Sequence, residues 1–483
     1  MAAGRWWVLA DTIRGLSDDE QALFRGLLKQ LRGKRSRNEL RQRYMDGKQL
    51  QRRLPPSAPP YLRNLGLVLG WPAKAVEALH RRTTFEGFSA PGVDLAEFGL
   101  SEILDANDYD TQVGLGELDA LVQSCTFEIV TRGGEGEPEA VITQRSALDA
   151  TGEWNRRSQR LDSLLSVTDV SKSGDVVGAN LYLPGLTVVV EDGAVVDRQE
   201  HPWHVPAEVV PYKPRLQRPF GSSRISRAVM SLTNSAVRTV VRSEGTADLY
   251  GVPWFMIFGP DESSFTKGSW QMIMDRINAI PDNPDAETGN QRADVKQFSQ
   301  GDQRPHVEQL QTWAGLFAGE TNIPVSSLGV GLSQANPTSA DSYVASREDL
   351  ISEAETAARL WKRRHVRTAQ RAWMVATGEE SVPDALRGLQ ARYRNPRFTS
   401  QAAASDAALK QAQVFPWLAE SDSFIRYVFD DNELAERLLA DKQRSQGRAA
   451  LAAFQRAGGA DAVVGSDQAG GVGADGSVEG GAG

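Results

Sequence analysis

One pattern constrains this chain more than any other. Between Pro337-Thr338-Ser339 and Gly378 lie roughly 40 residues with no glycine or proline, and the spacing predicts one long helix. Its first half carries acids (Asp341, Glu348, Asp349, Glu353, Glu355) and its second half bases (Arg359, Lys362, Arg363, Arg364, Arg367, Arg371). That order suits the helix dipole, which favours anions early and cations late. A helix of this length draws its stability from packing, so it is expected to bridge layers of a larger fold or to lie against copies of itself.

Charge is segregated along the chain. From Lys29 to Arg53 ten bases (Lys29, Arg32, Lys34, Arg35, Arg37, Arg41, Arg43, Lys48, Arg52, Arg53) stand against Glu39 and Asp46. Thr83 to Thr131 has no Lys or Arg and ten acids: Glu86, Asp94, Glu97, Glu102, Asp105, Asp108, Asp110, Glu117, Asp119 and Glu128. The blocks read as solvated faces or as partners of one another. The sharper alternative is pairing between subunits of an oligomer. A basic nucleic-acid arm would want interleaved aromatics, which the first block lacks. The totals, 54 Lys plus Arg against 62 Asp plus Glu, give −8 and argue against gripping nucleic acid over the whole surface. Residues 458–483 hold ten glycines, four acids and no base, a composition expected to stay disordered.

Length suggests about three domains, and 40% hydrophobic residues can build a sizeable core. No run of 18 apolar residues is present, and the apolar stretch after Arg5 is too short for a signal peptide, so no membrane and a soluble intracellular product are expected. The first 130 residues read as helical with loops. Ser17 and Glu20 form a capping box ahead of an apolar-periodic stretch through Leu31. Pro55-Pro56-Ser57-Ala58-Pro59-Pro60 is a stiff connector. From about 125 to 213 the pattern is β-rich, with Asp192-Gly193 as a type I′ hairpin turn. Helix resumes at Ser222, where Arg224, Arg227, Arg238 and Arg242 fall within about 60° of one another, opposite Ile225, Val229, Leu232, Ala236 and Val240. Short strand-like runs (Trp254 to Phe258) and a turn cluster at Pro281-Asp282-Asn283-Pro284 follow. Helices are expected over His306–Phe317 and Asp431–Arg456.

Catalytic signals are weak. The phosphate loop of an ATP-driven motor is absent, and Gly329-Val330-Gly331 follows no strand and lacks a third glycine. His201-Pro202-Trp203-His204 offers two imidazoles without a third ligand, and the single cysteine, Cys125, excludes a disulfide and a multi-cysteine zinc site. Asp105 to Asp110 resembles a calcium loop only superficially, because an aromatic sits at its fifth position. No catalytic, cofactor or metal residues are assigned. The one enzymatic alternative is a metal-dependent nuclease built on acids of the 83–131 segment, tested through Asp105 and Asp108.

Pro219-Phe220-Gly221-Ser222-Ser223-Arg224-Ile225, an apolar helix, and Tyr250-Gly251-Val252-Pro253 with Gly259 come in a telling order. With Phe317-Ala318-Gly319-Glu320-Thr321-Asn322-Ile323-Pro324 through Asn336-Pro337-Thr338-Ser339-Ala340-Asp341, they resemble portal proteins, the head-to-tail connectors of tailed double-stranded DNA bacteriophages, siphophage type. Arg43-Tyr44-Met45-Asp46-Gly47, Leu104-Asp105-Ala106-Asn107 and Glu353-Ala354-Glu355 are similar to the same family, over roughly residues 35 to 380 in order. Two departures are Ser124-Cys125, where a glycine often precedes the β-rich part, and Met45 with Val252-Pro253-Trp254, which differ from the commoner residues. Another capsid or connector component of the packaging machinery, one that binds a portal rather than being it, is the third class.

The resemblance implies an α+β portal fold of wing, stem helices, clip, tunnel loop and helical crown, assembled as a ring of about twelve copies. Its parts would be an N-terminal helical and basic segment (1–82), wing (83–221, acidic helical then β-rich), stem helix (222–248), clip (249–304), second stem helix (305–325), tunnel loop (326–337), helical wing and crown region (338–457) and the acidic tail (458–483). The tunnel loop would present Gly329, Gly331, Ser333, Gln334 and Asn336. Implied partners are a terminase motor, head-completion or adaptor proteins, the major capsid and scaffolding proteins, and double-stranded DNA passing through the channel. The implied location is the capsid portal vertex of the virion, with assembly in the host cytoplasm, and no enzyme activity or cofactor is implied. Around a ring, Arg224, Arg227, Arg238 and Arg242 would form cationic belts that either face DNA or, the favoured placement, pair with acids of the neighbouring stem.

Overall fold

The computed structural model describes residues 12–49, 66–172, 175–250, 255–258, 294–297, 302–330, 347–397, 401–429 and 432–460. It divides into two units, Met1–Arg397 and Phe398–Gly483, rather than the three that length suggests.

The first unit opens with α1 (Asp18–Met45), α2 (Trp71–His80), β1 (Phe85–Ser89), α3 (Leu100–Ala106) and α4 (Tyr109–Gln123). Eight strands follow: β2 (Cys125–Arg132), β3 (Ala140–Ser146), β4 (Ala150–Asn155), β5 (Arg160–Val170), β6 (Val176–Leu183), β7 (Leu186–Glu191), β8 (Ala194–Glu200) and β9 (Ala207–Pro211). Then come α5 (Arg227–Tyr250), β10 (Phe255–Phe258), β11 (Asp294–Gln297), α6 (Arg304–Thr321), α7 (Glu348–Thr377), α8 (Asp384–Arg387) and β12 (Gln390–Tyr393). All sheets are antiparallel: β4-β5-β6-β7-β8 is a meander, β3-β2-β9 a three-stranded sheet, and β1-β12 and β10-β11 are pairs. Helices packed on separate antiparallel sheets make the class α+β.

Local chemistry accounts for several of these elements. The Ser17 hydroxyl accepts from the Glu20 N–H while the Glu20 carboxylate accepts from the Ser17 N–H, the expected capping box. Phe24, Leu27, Leu28 and Leu31 form one stripe of α1 and bury against Leu165, Val167, Leu181, Val188 and Val190 of the meander. Between β7 and β8, Asp192 and Gly193 sit at φ +46° and +76°, as a type I′ turn requires.

The long helix is shorter than its pattern suggested. Arg347, at φ −117°, is a non-helical N-cap, so α7 has 30 residues, and residues 338–346 lie outside those described. Gly378 ends it at φ +75°, as expected. Within the chain α7 bridges layers. Trp361 is fully buried and donates its indole N–H to the Pro211 carbonyl at 2.8 Å, while Ala369 and Trp373 pack on Leu100 of α3.

The junction from α4 into the sheet is stitched by backbone. Ser124 sits at φ +104°, which explains why a glycine would suit that position. Its carbonyl accepts from the Tyr212 N–H at 2.8 Å, and the Tyr212 carbonyl accepts from the Ser222 N–H at 2.7 Å. A Cβ on Gly221, itself at φ +75°, would lie 2.2 Å from the Tyr212 oxygen and 2.7 Å from that of Ser124.

The second unit is helical: α9 (Gln401–Val414), α10 (Asp422–Val428) and α11 (Asn432–Ala460). Lys442 of α11 pairs with Asp422 at 2.7 Å, and Ala408, Ala435 and Leu439 are buried. Helix α11 runs three residues into the stretch expected to be disordered; the rest of that stretch lies outside the described residues.

Gly221→Ala is expected to destabilise the protein by more than about 1 kcal/mol, since backbone conformation and close approach both oppose a side chain there. A lowered urea midpoint checks it.

Candidate functional site: the paired helices and their buried seat

Helices α5 and α6 lie antiparallel. Val229 and Ala236 of α5 share a core cluster with Ala314, Phe317 and Ala318 of α6, while Val237 and Val241 are buried with Leu67 and Leu69 packed against them. Beside this apolar contact runs a polar seam. Ser226 donates to Glu320 at 3.2 Å, Thr239 to Gln309 at 3.2 Å, Trp313 to Thr239 at 3.1 Å and Ser243 to Gln303 at 2.9 Å. Thr246 Oγ1 lies 3.0 Å from His306 Nε2. Hydrogen bonds at this many heights fix the pair's register, because a slide would leave several half-buried groups unpaired. Chain leaving α5 returns to α6 through the β10-β11 pair, with Phe255 opposite Gln297.

The structure separates the four arginines. Arg227 and Arg242 are exposed on α5, and Arg238 is half-buried and donates to Ser235 at 3.0 Å. Arg224 does not belong to the helix, which starts at Arg227 rather than Ser222. The Ser223 hydroxyl donates to the Val122 carbonyl at 2.5 Å and accepts from the Ile225 N–H, and the Arg224 N–H donates to Leu121 O. These bonds, two of them to the last turn of α4, hold the segment out of helical geometry. The 100° arithmetic therefore does not apply to Arg224.

Arg224 is instead 6% exposed and reaches into the seat of the helix pair. Its guanidinium donates to the Ala75 carbonyl on α2 (2.6 Å), to the Thr321 carbonyl at the end of α6 (2.6 Å) and to the Tyr212 hydroxyl (3.0 Å). Its Nη1 lies 2.7 Å from Glu353 on α7. That carboxylate also takes Lys213 at 2.5 Å, Asn322 at 3.2 Å and the Tyr212 hydroxyl. Burial works against the Glu353 charge, but Arg224, then Lys213 and Tyr212, outweigh it and hold the carboxyl at about 2.

A second charged node lies further along α7. His365 Nδ1 is 2.9 Å from Glu128 of β2 and its Nε2 is 3.2 Å from Glu117 of α4. Thr368 and Gln144 donate to Glu128 at 2.5 and 2.8 Å, and Tyr393 donates to Glu117. Burial disfavours the imidazolium, yet Glu128 and Glu117 prevail and push His365 up to about 10. Burial also raises Glu117, whose Oε2 has no partner, whereas His365 and the two other donors hold Glu128 below the usual range despite its burial. The node is thus read as a His365–Glu128 ion pair beside a Glu117 that burial holds above the usual carboxylate range.

The remaining sequence candidates are less concentrated. Gly329 ends a short 3-10 turn at φ +72°, while Gly331, Ser333, Gln334 and Asn336 lie outside the described residues. Asp105 and Asp108 are exposed. Among the described residues no group of three or more His, Cys, Asp or Glu is placed to hold a metal. Cys125 is buried, which pushes its thiol up to about 12. The blocks of opposite charge are also engaged elsewhere: Arg35 pairs with Glu39 and Asp149, and Arg41 donates to the Gln123 carbonyl at 2.9 Å. Nothing in the periodicity pointed to Glu353, Tyr212 or His365, because their partners come from distant strands and helices.

The pattern of the family described as "Phage portal protein, SPP1 Gp6-like" matches residues 27–447. A portal protein of Mycobacterium phage L5 is 26% identical over 384 residues, covering 76% of this chain and 77% of its own length. A portal protein of Mycobacterium phage D29 is 26% identical over 371 residues, covering 73% and 74%. Among solved structures, the virion of native gene transfer agent (GTA) particle aligns at a TM-score of 0.36 and 13% identity, over 71% of this chain and 85% of the other.

Arg224→Met, which strands the buried Glu353 carboxylate, is expected to cost about 3–5 kcal/mol, with part regained in Arg224→Met/Glu353→Leu; denaturant titration of the three proteins checks it. The raised His365 contributes stability that is complete below the ordinary imidazole value of 6.5 and lost as pH rises through about 10. Thermal unfolding across that window should fall in the wild type and flatten in His365→Gln.

Proposed function

The chain belongs to the family of phage portal proteins, SPP1 Gp6-like, and on that premise we propose how it works. About twelve copies close into a ring at one capsid vertex, and double-stranded DNA passes through the central channel during packaging and ejection. The family match over 27–447, from within α1 to within α11, carries this reading. The protein is a structural conduit rather than an enzyme, and the energy for packaging comes from a separate terminase motor.

In this reading the stem is 222–248 and 305–325, the segments that hold nearly all of α5 and α6, with the first helix beginning only at Arg227. The chain between them (249–304) is the clip that meets terminase and later head-completion or adaptor proteins. Residues 83–221 are wing, 326–337 the tunnel loop with Gly329, Gly331, Ser333, Gln334 and Asn336, and 338–457 the helical wing and crown region. Major capsid and scaffolding proteins surround the ring, which assembles in the host cytoplasm and ends in the virion.

The helix pair supports the reading in two ways. Arg224 binds it to the body through α2, α6 and α7 at once, as a rigid channel wall needs. Its outer surface is also left open for a neighbour: Glu308, Gly315, Leu316 and Gly319 of α6 are exposed, and a Cβ on either glycine would meet nothing within 4 Å. Arg227, Arg238 and Arg242 then pair with acids of the adjacent stem, among which Glu244, Glu308 and Glu320 are exposed.

Negative-stain microscopy of the purified protein should show rings of about twelve with a central hole; monomers at every salt concentration would overturn the proposal. Arg238→Glu/Arg242→Glu is expected to lose the rings. Intact rings that fail to package would put these arginines on the DNA side instead.

A further inference from the structure

On the side of α7 facing the sheets, three arginines converge on one carboxylate. Arg371 Nη2 is 3.1 Å from Glu208 Oε1, while Arg364 and Arg367 approach Oε2 at 3.5 and 3.6 Å, too far for good hydrogen bonds. Glu208 is 3% exposed and Arg371 6%. The Nη1 atoms of all three arginines are buried and make no hydrogen bond; those of Arg364 and Arg367 are the atoms that face Glu208 Oε2 across the longer gaps, while that of Arg371 faces no carboxylate among the described residues. The Arg364 guanidinium lies over the Trp154 ring, 5.4 Å from its centroid, and Arg160 adds a further positive charge nearby.

One carboxylate cannot balance this cluster. Three or four guanidinium groups against a single acid leave an excess of at least two charges, with donors already desolvated and pointing inward. Such donors cost stability unless another anion meets them. The arginine fork suits a planar carboxylate or another oxyanion. The Arg367 side chain, 29% exposed, keeps the cluster open to the surface.

The same chain carries a surface of opposite sign that is unmatched among the described residues. Asp94, Glu97, Glu102, Asp105, Asp108 and Asp110 are all exposed on and around α3 and the start of α4. Burial and the like charges of Asp105 and Asp108 raise Asp110 above the usual carboxylate range. This surface rests on α7 through Leu100 against Ala369 and Trp373, with Phe98 accepting the Trp373 indole N–H at 2.9 Å. Val366, Ala369 and Trp373 lie about 160° round α7 from the arginines. A subunit therefore holds its arginine cluster and its acidic surface on opposite sides of one helix and cannot neutralise one with the other. A head-to-tail contact between copies can.

We propose that the Arg364–Arg367–Arg371 cluster is a carboxylate-binding pocket completed by a second copy of the chain, whose acidic α3–α4 surface supplies the missing anion. The proposal rests on the ring reading, since only a closed head-to-tail arrangement satisfies every pocket. It names a contact in the wing, separate from that of the stem arginines.

Charge exchange tests it. The pocket variant is Arg367→Glu, with Arg367→Gln as the milder form should the first fail to fold, and the surface variant is Glu102→Lys/Asp105→Lys/Asp108→Lys. Each alone should lower ring yield by at least about tenfold, because like charges then meet across the contact, and the surface variant should do so with unchanged monomer melting. Rings should return when both sets are combined in one chain. They should also return when the two variant proteins are mixed in equal amounts, which no contact within one chain could achieve. Wild-type ring yield in every variant would overturn the proposal while leaving the ring reading intact, and a wild type without rings would overturn both. Loss of rings with no rescue in either arm, coupled to inorganic phosphate restoring wild-type melting to a destabilised protein, would overturn it in favour of a free oxyanion.

Discussion

The Arg224 guanidinium, held by Glu353, Tyr212 and two carbonyls, fixes where the helix pair meets the rest of the molecule. Each of its bonds runs to a different element, so α2, the end of α6, the strand exit at Tyr212 and α7 are referred to one planar group. A guanidinium suits this task because its donors point outward in a fixed fork. A lysine would offer one charge on a flexible stem and could not define four directions. For a family whose members line a channel, that rigidity matters more than the net stability of the pair, which burial largely offsets.

Helix α7 repeats the arrangement along its length. Glu353 meets Arg224, His365 meets Glu128 and Glu117, and Arg371 with its neighbours meets Glu208. Each node ties α7 to a different layer, and apolar Trp361 and Ala369 pack between the nodes. Hydrophobic contacts tolerate sliding, whereas buried ion pairs tolerate almost none, since a displaced charge is left unpaired in a low-dielectric interior. The helix is therefore held in register as well as in place. At the third node the charges do not cancel, and that imbalance is what turns attention outward to a neighbouring copy.

Much of the fold was legible in the chain. The Ser17–Glu20 cap, the Asp192-Gly193 turn, the β-rich stretch after Cys125 and the Gly378 helix stop all follow from chemistry within a few residues, and each is present. Helix starts were less legible. Helical pattern resumes at Ser222, yet Ser223 bonds to α4 and the helix starts at Arg227; ahead of α7 Arg347 lies outside helical geometry, and Pro337-Thr338-Ser339 lies outside the described residues. Cap chemistry is local, but whether a serine caps a helix or binds another element depends on what packs beside it. The same limit applied to Arg224, which shared a stripe with Arg227, Arg238 and Arg242 only so long as one helix was assumed to carry all four.

By itself, then, the sequence determined most element types, the family and the segregation of acids from bases, because periodicity, turn residues and composition are written in neighbouring positions. It missed the β1-β12 pair, since Phe85–Ser89 falls in a stretch read as helical with loops and its partner strand, Gln390–Tyr393, lies far along the chain. It could not say which charges turn inward. Glu117 and Glu128 belong to the acidic segment and looked like its solvent-facing members, yet both are buried on His365, while Asp105 and Asp108 remain exposed. Likewise the basic half of α7 fitted the helix dipole, yet three of its arginines surround Glu208. Only the tertiary structure decided these fates, since the cost of burying a charge is met by partners far away in sequence, and periodicity along a helix says which residues share a face but never what that face will meet.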